Sequence, residues 1–578
     1  MDYNQRAKTS PYILENETFS FKEKTEEKWE LRKKRNQNII MSERKKRLLQ
    51  LSQNNTIKNN NNINNNINIT NFNEAKNDTI LLNENDLLIK LPPINNIVNS
   101  INEIIKYLSS ENKEENKWIV WALRVYFEKI NIPYNEYSIL FENNIHKYFE
   151  TLLNKYQYES TIVNEIFFII TNLFDSDEIV HQYPKKYFEY FLSDAYISIY
   201  LKVIMLEEDE LVDSIILLLR NILSGNYDLI KNLFNNNKEL FYSIIEFLKE
   251  KFIGIENIKN IIKFFTLVFI GIQNSYINDI KLFILILDTI FMLYRNINSL
   301  PNKEIKTINY IIEIYKCATT CKTKESDSDE YFVYDYLFHG INRNSPKFIK
   351  YFCENLKKSP DFYFTEISLY ITSLELLQEI TYNSTRFQME QLVFKYGLID
   401  ILSDLYSFKD NFKNIYQIIK LILKICNNII DSDVNLAKIL INSKAFENLI
   451  LYFSLNMSNK KIMNIYLNMF QCLLNYGEKN IAENLNKRGV IKDGIFNSFQ
   501  SLNEIQNEEK LNEKKCKIIL CYLNIMYEDS KGSNRILDKD DYLLGYQFKE
   551  LLLSGLLNIS EDDIESLMNA GIMKLIEN

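Results

Sequence analysis
The sequence predicts an all-α protein: a right-handed α-solenoid of stacked helical repeats behind a disordered basic N-terminal arm. Three features lead there. Glycine and proline number only 12 and 8 in 578 residues, too few turn formers for an all-β chain of that length. From residue 91 onward, apolar positions recur at helical spacing with short polar breaks between them. Short phrases also return at steps in the forties, and a chain this long is better organised by repeats than by one core.

The first element is the arm, residues 1–51. The whole chain has a formal net charge of -8, yet Lys22 and Lys24 after Phe21, then Arg32, Lys33, Lys34 and Arg35, then Arg44, Lys45, Lys46 and Arg47 make this segment strongly basic. Its apolar residues, among them Leu31, Ile39, Ile40, Leu48 and Leu49, are too sparse for a helix that stands alone, so order is expected only on a partner. A cationic arm on an acidic body points to an acidic partner, to nucleic acid, or to the body itself. Residues 52–90 are the second element, an Asn-rich tract including Asn59 to Asn62 and Asn64 to Asn66 that reads as a flexible linker.

The third element, residues 91–578, is the repeat domain. One phrase sets a small residue before or within the start of a new apolar helix, at Gly397, Ala445, Gly489 and Gly571. The first two steps are 48 and 44 residues, and the last is close to two such steps. Steps of this size suit two- or three-helix armadillo or HEAT units. A second phrase is an apolar helix ending in Asn: Asn172, Asn221, Asn427, Asn475 and Asn524, each four residues after Phe168, Leu217, Leu423, Gln471 or Leu520. Asn is a poor helix former, so its return at one point of the repeat calls for a role.

In order and spacing these residues resemble the importin-α (karyopherin-α) family, as a divergent member. Phe21 to Lys24 and Glu30 to Arg35 are similar to the opening of that family's importin-β-binding segment, with Arg44 to Arg47 at its second basic cluster. Ala122 to Pro133 resembles its first repeat, Thr171 to Leu173 and Arg220 to Gly225 resemble its Trp- and Asn-bearing signatures, and Met568 to Glu577 resembles its last repeat. The resemblance implies about ten armadillo repeats and a nuclear import adaptor. On that reading Phe21, Lys22, Lys24, Arg32 to Arg35 and Arg44 to Arg47 bind importin-β. Phe168, Asn172, Leu217, Asn221, Leu423, Asn427, Asn475 and Asn524 line a concave groove for the nuclear localisation signals of cargo proteins. An Asn amide both donates and accepts, so it can hold an extended backbone irrespective of sequence. The resemblance further implies shuttling between cytoplasm and nucleus, release by Ran-GTP, and recycling by a nuclear export receptor.

The chain departs from that family where cargo would bind. Its three Trp are Trp29, Trp118 and Trp121, and none stands one turn before a repeat Asn. Each lost cation–π contact removes about 0.5–2 kcal/mol, which predicts altered or weaker binding of basic signals. Glu375 and Glu379 stand where the family has Arg and Asn, and Gly225 where it has an acidic residue. No further basic cluster follows Arg47, which weakens the case for an arm that occupies its own groove. The alternative function is an armadillo interaction scaffold that has lost basic-signal binding.

Other classes find little support. No phosphate-binding loop occurs, and His146, His181 and His339 have no metal-ligand spacing and read as surface or interface residues. No enzyme activity, cofactor or metal is therefore expected. The 7 Cys form no CxxC pair and read as reduced thiols of a cytosolic or nuclear protein. The charged start at Met1 is unlike a signal peptide, and the longest apolar runs are too short to cross a bilayer. The acidic balance argues against direct nucleic-acid binding. Lys324 to Glu330 reads as an exposed acidic loop between repeats.

Overall fold
The computed structural model describes residues 94, 96–127, 134–174, 185–250, 255–299, 304–323, 336–338, 348–358, 366–407, 415–455, 460–499, 509–533 and 539–553. The basic arm, the Asn-rich linker, the acidic run at 324–330 and the phrase at Gly571 lie outside these residues.

Apolar spacing produces helix after helix. The first group is α1 (Ile97–Leu108), α2 (Lys113–Phe127), α3 (Tyr134–Glu142), α4 (Ile145–Lys155) and α5 (Ser160–Leu173). There follow α6 (Lys185–Tyr190), α7 (Asp194–Ile204), α8 (Asp209–Leu223), α9 (Tyr227–Asn236), α10 (Lys238–Glu250) and α11 (Ile255–Ile272). The middle holds α12 (Ile280–Ser299), α13 (Ile305–Ala318), α14 (Phe348–Lys358), α15 (Ile367–Asn383), α16 (Arg386–Glu390) and α17 (Leu398–Ser407). The last are α18 (Ile415–Ser432), α19 (Val434–Ile441), α20 (Lys444–Leu455), α21 (Lys460–Leu474), α22 (Lys479–Lys487), α23 (Glu509–Ser533) and α24 (Lys539–Leu553). Two-residue strands β1 (Tyr276–Ile277) and β2 (Lys322–Thr323) pair in parallel, a local clasp between successive loops.

These helices stack in two rows. In the first, here the ladder, α2, α5, α8, α11, α13, α15, α18, α21 and α23 each pack on the next in chain order. In the second, α4, α7, α10, α12, α14, α17 and α20 do the same, with Phe291 and Tyr294 of α12 meeting Phe348 of α14. A helix with one apolar stripe must hide it against a neighbour. Here the neighbour is the preceding and following repeat, which makes the fold an all-α solenoid.

Large tyrosines fill the space between the rows. Tyr196, Tyr200, Tyr315 and Tyr466 are fully buried. Their hydroxyls donate to the carbonyls of His146, Phe191, Leu287 and Leu449 at 2.6, 2.9, 2.8 and 2.8 Å. An unpaired buried hydroxyl would cost about 1–3 kcal/mol, so each tyrosine position also fixes a backbone partner. The Tyr315 bond joins the ladder to the second row.

The small-residue phrase splits into two structural roles. Gly397 and Gly489 adopt left-handed φ of 68° and 74° and let the chain turn into the next segment. Ala445 instead lies inside α20, 2% exposed, where its size serves packing. His146 differs from the sequence expectation: it is buried on α4 and stacked on Tyr190 with ring centres 3.9 Å apart.

Two stability measurements follow from this packing. A Cβ on Gly271 of α11 would meet the Ile230 side chain at 2.5–2.8 Å, whereas one on Gly545 of α24 meets nothing nearer than Leu523 at 3.9 Å. Gly271→Ala is expected to destabilise by about 1–3 kcal/mol and Gly545→Ala to be neutral or to stabilise by about 0.5–1 kcal/mol, read by urea unfolding. Burial, with Lys147 nearby, pushes the His146 imidazole down to about 4 from 6.5. The fold holds the neutral form, so this contribution is complete above pH 6.5 and is lost as pH falls toward 4. Unfolding at neutral and acid pH should show wild type losing up to about 3 kcal/mol more than His146→Phe; equal acid sensitivity would remove His146 as the cause.

Candidate functional site
The ladder leaves one stripe of each helix at the surface. On α5 it carries Asn164, Glu165, Phe168 and Asn172, and on α8 Asp213, Ser214, Leu217 and Asn221, all half-buried or exposed. Steps of three and four residues place such side chains on one helix face. The stripe continues through Lys259, Lys263 and Leu267 on α11, Glu313 and Lys316 on α13, and Glu375 and Glu379 on α15. It ends with Lys420, Lys424, Asn427 and Asn428 on α18, Asn464, Asn468 and Gln471 on α21, and Lys514 on α23.

The repeated Asn has a structural use within the ladder. Asn221 Nδ2 donates to the Thr171 carbonyl of the preceding ladder helix at 3.2 Å. A bond of the same kind, again to a carbonyl fifty residues earlier, occurs at Asn428, whose Nδ2 reaches the Gln378 carbonyl at 3.4 Å and Thr381 Oγ1 at 3.0 Å. The matching residue on α18 is therefore Asn428, one place beyond Asn427. The same one-residue offset corrects Leu423, which is fully buried and cannot contact a cargo peptide; exposed Lys424 occupies the surface position. Asn427 is half-buried, and its Oδ1 finds no hydrogen-bond partner among the described residues, as does Nδ2 of Asn172.

The other expected groove residues sit as follows. Phe168 is half-buried and already covered: the Arg124 guanidinium from α2 lies 5.0 Å from its ring centre, and Arg124 Nη1 donates to Glu165 Oε1 at 2.7 Å. The ring thus stacks on a cation of its own chain. Leu217 is 41% exposed, a free apolar contact on α8. Asn475 is exposed just past α21, and its Oδ1 accepts from Gln471 Nε2 at 3.0 Å. Asn524 lies in α23 with its side chain outside the described residues. Gly225, with φ 76°, caps α8 in the left-handed conformation and does not present a side chain to the stripe. The arm residues Phe21 to Arg47 lie outside the description.

The middle of the stripe is neutralised internally. Lys316 Nζ lies 2.8 Å from Glu313 and 2.9 Å from Glu375. Burial works against its charge, yet the two carboxylates hold its pKa well above the usual lysine value. Burial raises the Glu379 carboxyl, with Lys424 and Lys316 pulling it back. Burial and Lys420 lower Lys424 in turn. Sequence reasoning singled out Glu375 and Glu379 but missed Arg124, Lys316 and Lys424, because their role depends on helices distant in the chain. Among the described residues no group of His, Cys, Asp or Glu is arranged to hold a metal ion, and no helix is long and apolar enough to cross a membrane.

No protein-family model and no curated protein matches the chain. Its fold is similar to a solved structure from a study of a phosphorylation switch controlling the interaction between cadherin and beta-catenin. The TM-score is 0.52 and the identity 11%, over 82% of this chain and 86% of that one. That likeness concerns fold: the chain is an all-α solenoid of the armadillo-repeat type.

The corrected register can be tested directly. Asn428→Ala should lose about 0.5–1.5 kcal/mol of stability by breaking the bond to α15, and Asn427→Ala clearly less. Equal losses in thermal unfolding would argue that Asn428 is no clamp.

Proposed function
We propose that this protein is a non-catalytic interaction scaffold whose ladder face holds an extended segment of a partner protein. The observation that carries the reading is the continuity of that face: among the described residues, the stacked ladder helices from α5 to α23 turn polar or mixed stripes outward at the same point of the repeat. A row of amides, carboxylates and ammonium groups repeated at helix-to-helix spacing suits a long, shallow contact with an unfolded strand of protein. The similar solved structure comes from work on a cadherin–beta-catenin interaction, so a fold of this type has an instance of protein binding.

A second, finer reading is favoured by the arm. Phe21, Lys22, Lys24, Arg32 to Arg35 and Arg44 to Arg47 resemble an importin-β-binding segment. With it, the scaffold would serve as a nuclear import adaptor moving between cytoplasm and nucleus, its cargo on the ladder and importin-β on the arm. The ladder argues for unusual cargo: Phe168 is stacked by Arg124, and Lys316 is matched by Glu313 and Glu375, so a run of cargo lysines finds few open anionic sites there.

One experiment addresses both readings. Full-length protein is assayed on an array of extended peptides and by pull-down with importin-β, beside Asn172→Ala/Asn475→Ala and a form with Arg32, Lys33, Lys34 and Arg35 changed to Glu. The scaffold reading expects peptide binding that weakens in the Asn variant; the adaptor reading expects importin-β capture that disappears in the charge-reversed form. Importin-β capture equal in both proteins, or absent from both, removes the adaptor reading. Peptide binding indifferent to the Asn pair removes the ladder as the site.

A further inference from the structure
We propose that the last three ladder helices, α18, α21 and α23, dock an extended acidic segment of a partner protein. This rests on the scaffold reading and names the chemistry of one part of its face. α21 contains no acidic residue from Lys460 to Leu474. Asn464 and Asn468 are exposed on it, and Lys514 Nζ of α23 donates to the Oδ1 of each, at 2.6 and 2.8 Å. With each carbonyl oxygen already accepting from an ammonium, the donors these side chains offer a ligand are their amide N–H groups. Asn475 is in the same state, its Oδ1 taken by Gln471. On α18, Lys420 and Lys424 are exposed ammonium groups on one face, four residues apart.

The result is a strip of hydrogen-bond donors: ammonium groups at Lys420, Lys424 and Lys514, and amides at Asn464, Asn468 and Asn475. A surface of this kind leaves the ligand to bring the acceptors. Carboxylates match the lysines through charge-assisted bonds, and backbone carbonyls match the amides. Burial and Lys420 press down the pKa of Lys424, with Glu379 and Glu375 offsetting them, so an added carboxylate there relieves a repulsion already present. A lysine-rich signal, or the basic arm itself, would meet like charge. Tyr416, one turn before Lys420, and Tyr476, beside Asn475, are half-buried and packed against the core, so an oligonucleotide is included in the test as the competing ligand. Glu379 on α15 and Asp431 near the end of α18 bound the strip, confining the donors to a length that suits a few carboxylates better than a continuous phosphate backbone.

The test uses the full-length chain and a short fluorescent Glu-rich peptide, read by polarisation at low and physiological salt. Its Gln-substituted and Lys-rich counterparts and a single-stranded oligonucleotide serve as competitors. The variants are Lys424→Glu/Lys514→Glu, the milder Lys420→Gln/Lys424→Gln, and a charge-matched control, Lys202→Glu/Lys281→Glu, on exposed lysines of the second-row helices α7 and α12. The arm is present throughout and sets a common background. Affinity for the Glu-rich peptide should fall about tenfold or more in the first variant, fall measurably in the second, and match wild type in the control. Equal binding by all four proteins overturns the proposal, as does an oligonucleotide that binds more tightly with the same lysine dependence. Binding of the Gln or Lys peptides alone overturns it while leaving the scaffold reading intact; binding of no peptide overturns both.

Discussion
Each ladder helix hides its apolar face on the helix before it and the helix after it, and the rest of the molecule depends on that contact. Because the contact is local, no single core has to organise the whole chain, and length is gained by adding repeats. The second row closes the other side of each repeat. Buried tyrosines such as Tyr315, whose hydroxyl reaches the Leu287 carbonyl, tie one row to the other. What stacking leaves uncovered is a single stripe per helix, and those stripes together make the ladder face.

That face has two duties, and they compete for the same atoms. Asn221 and Asn428 use their amide donors to clamp one ladder helix to the one before, so part of the polar stripe stabilises the stack. Arg124 over Phe168 and Lys316 between Glu313 and Glu375 do likewise with charge. The groups still able to meet a partner are concentrated elsewhere, at Leu217 toward one end and at the lysines and amides of α18, α21 and α23 toward the other. A partner therefore meets a face that changes character along its length.

The solenoid was legible in the sequence because helical periodicity and a step in the forties are one-dimensional signals. Helical spacing likewise carries Phe168, Asn172, Leu217, Asn221 and Asn475 onto or beside ladder helices, half-buried or exposed, but a place on the helix is not a contact with a ligand. Leu423 was misread because Asn427 and Asn428 stand side by side, and either could end the apolar phrase. Only the helix's rotation against its neighbours distinguishes them. His146 was misread because an isolated polar residue carries no mark of the ring it will stack on.

The sequence by itself determined the class of fold, the repeat step, and the contrast between a basic arm and an acidic body, since all of these are properties of neighbouring residues. Tertiary structure decided which atoms of the ladder face are already engaged. Arg124 and Phe168 are 44 residues apart and Lys316 and Glu375 are 59 apart, distances at which no local pattern reports contact. A side chain's availability to a partner depends on what its own chain has placed beside it, and that is settled only when the helices stack.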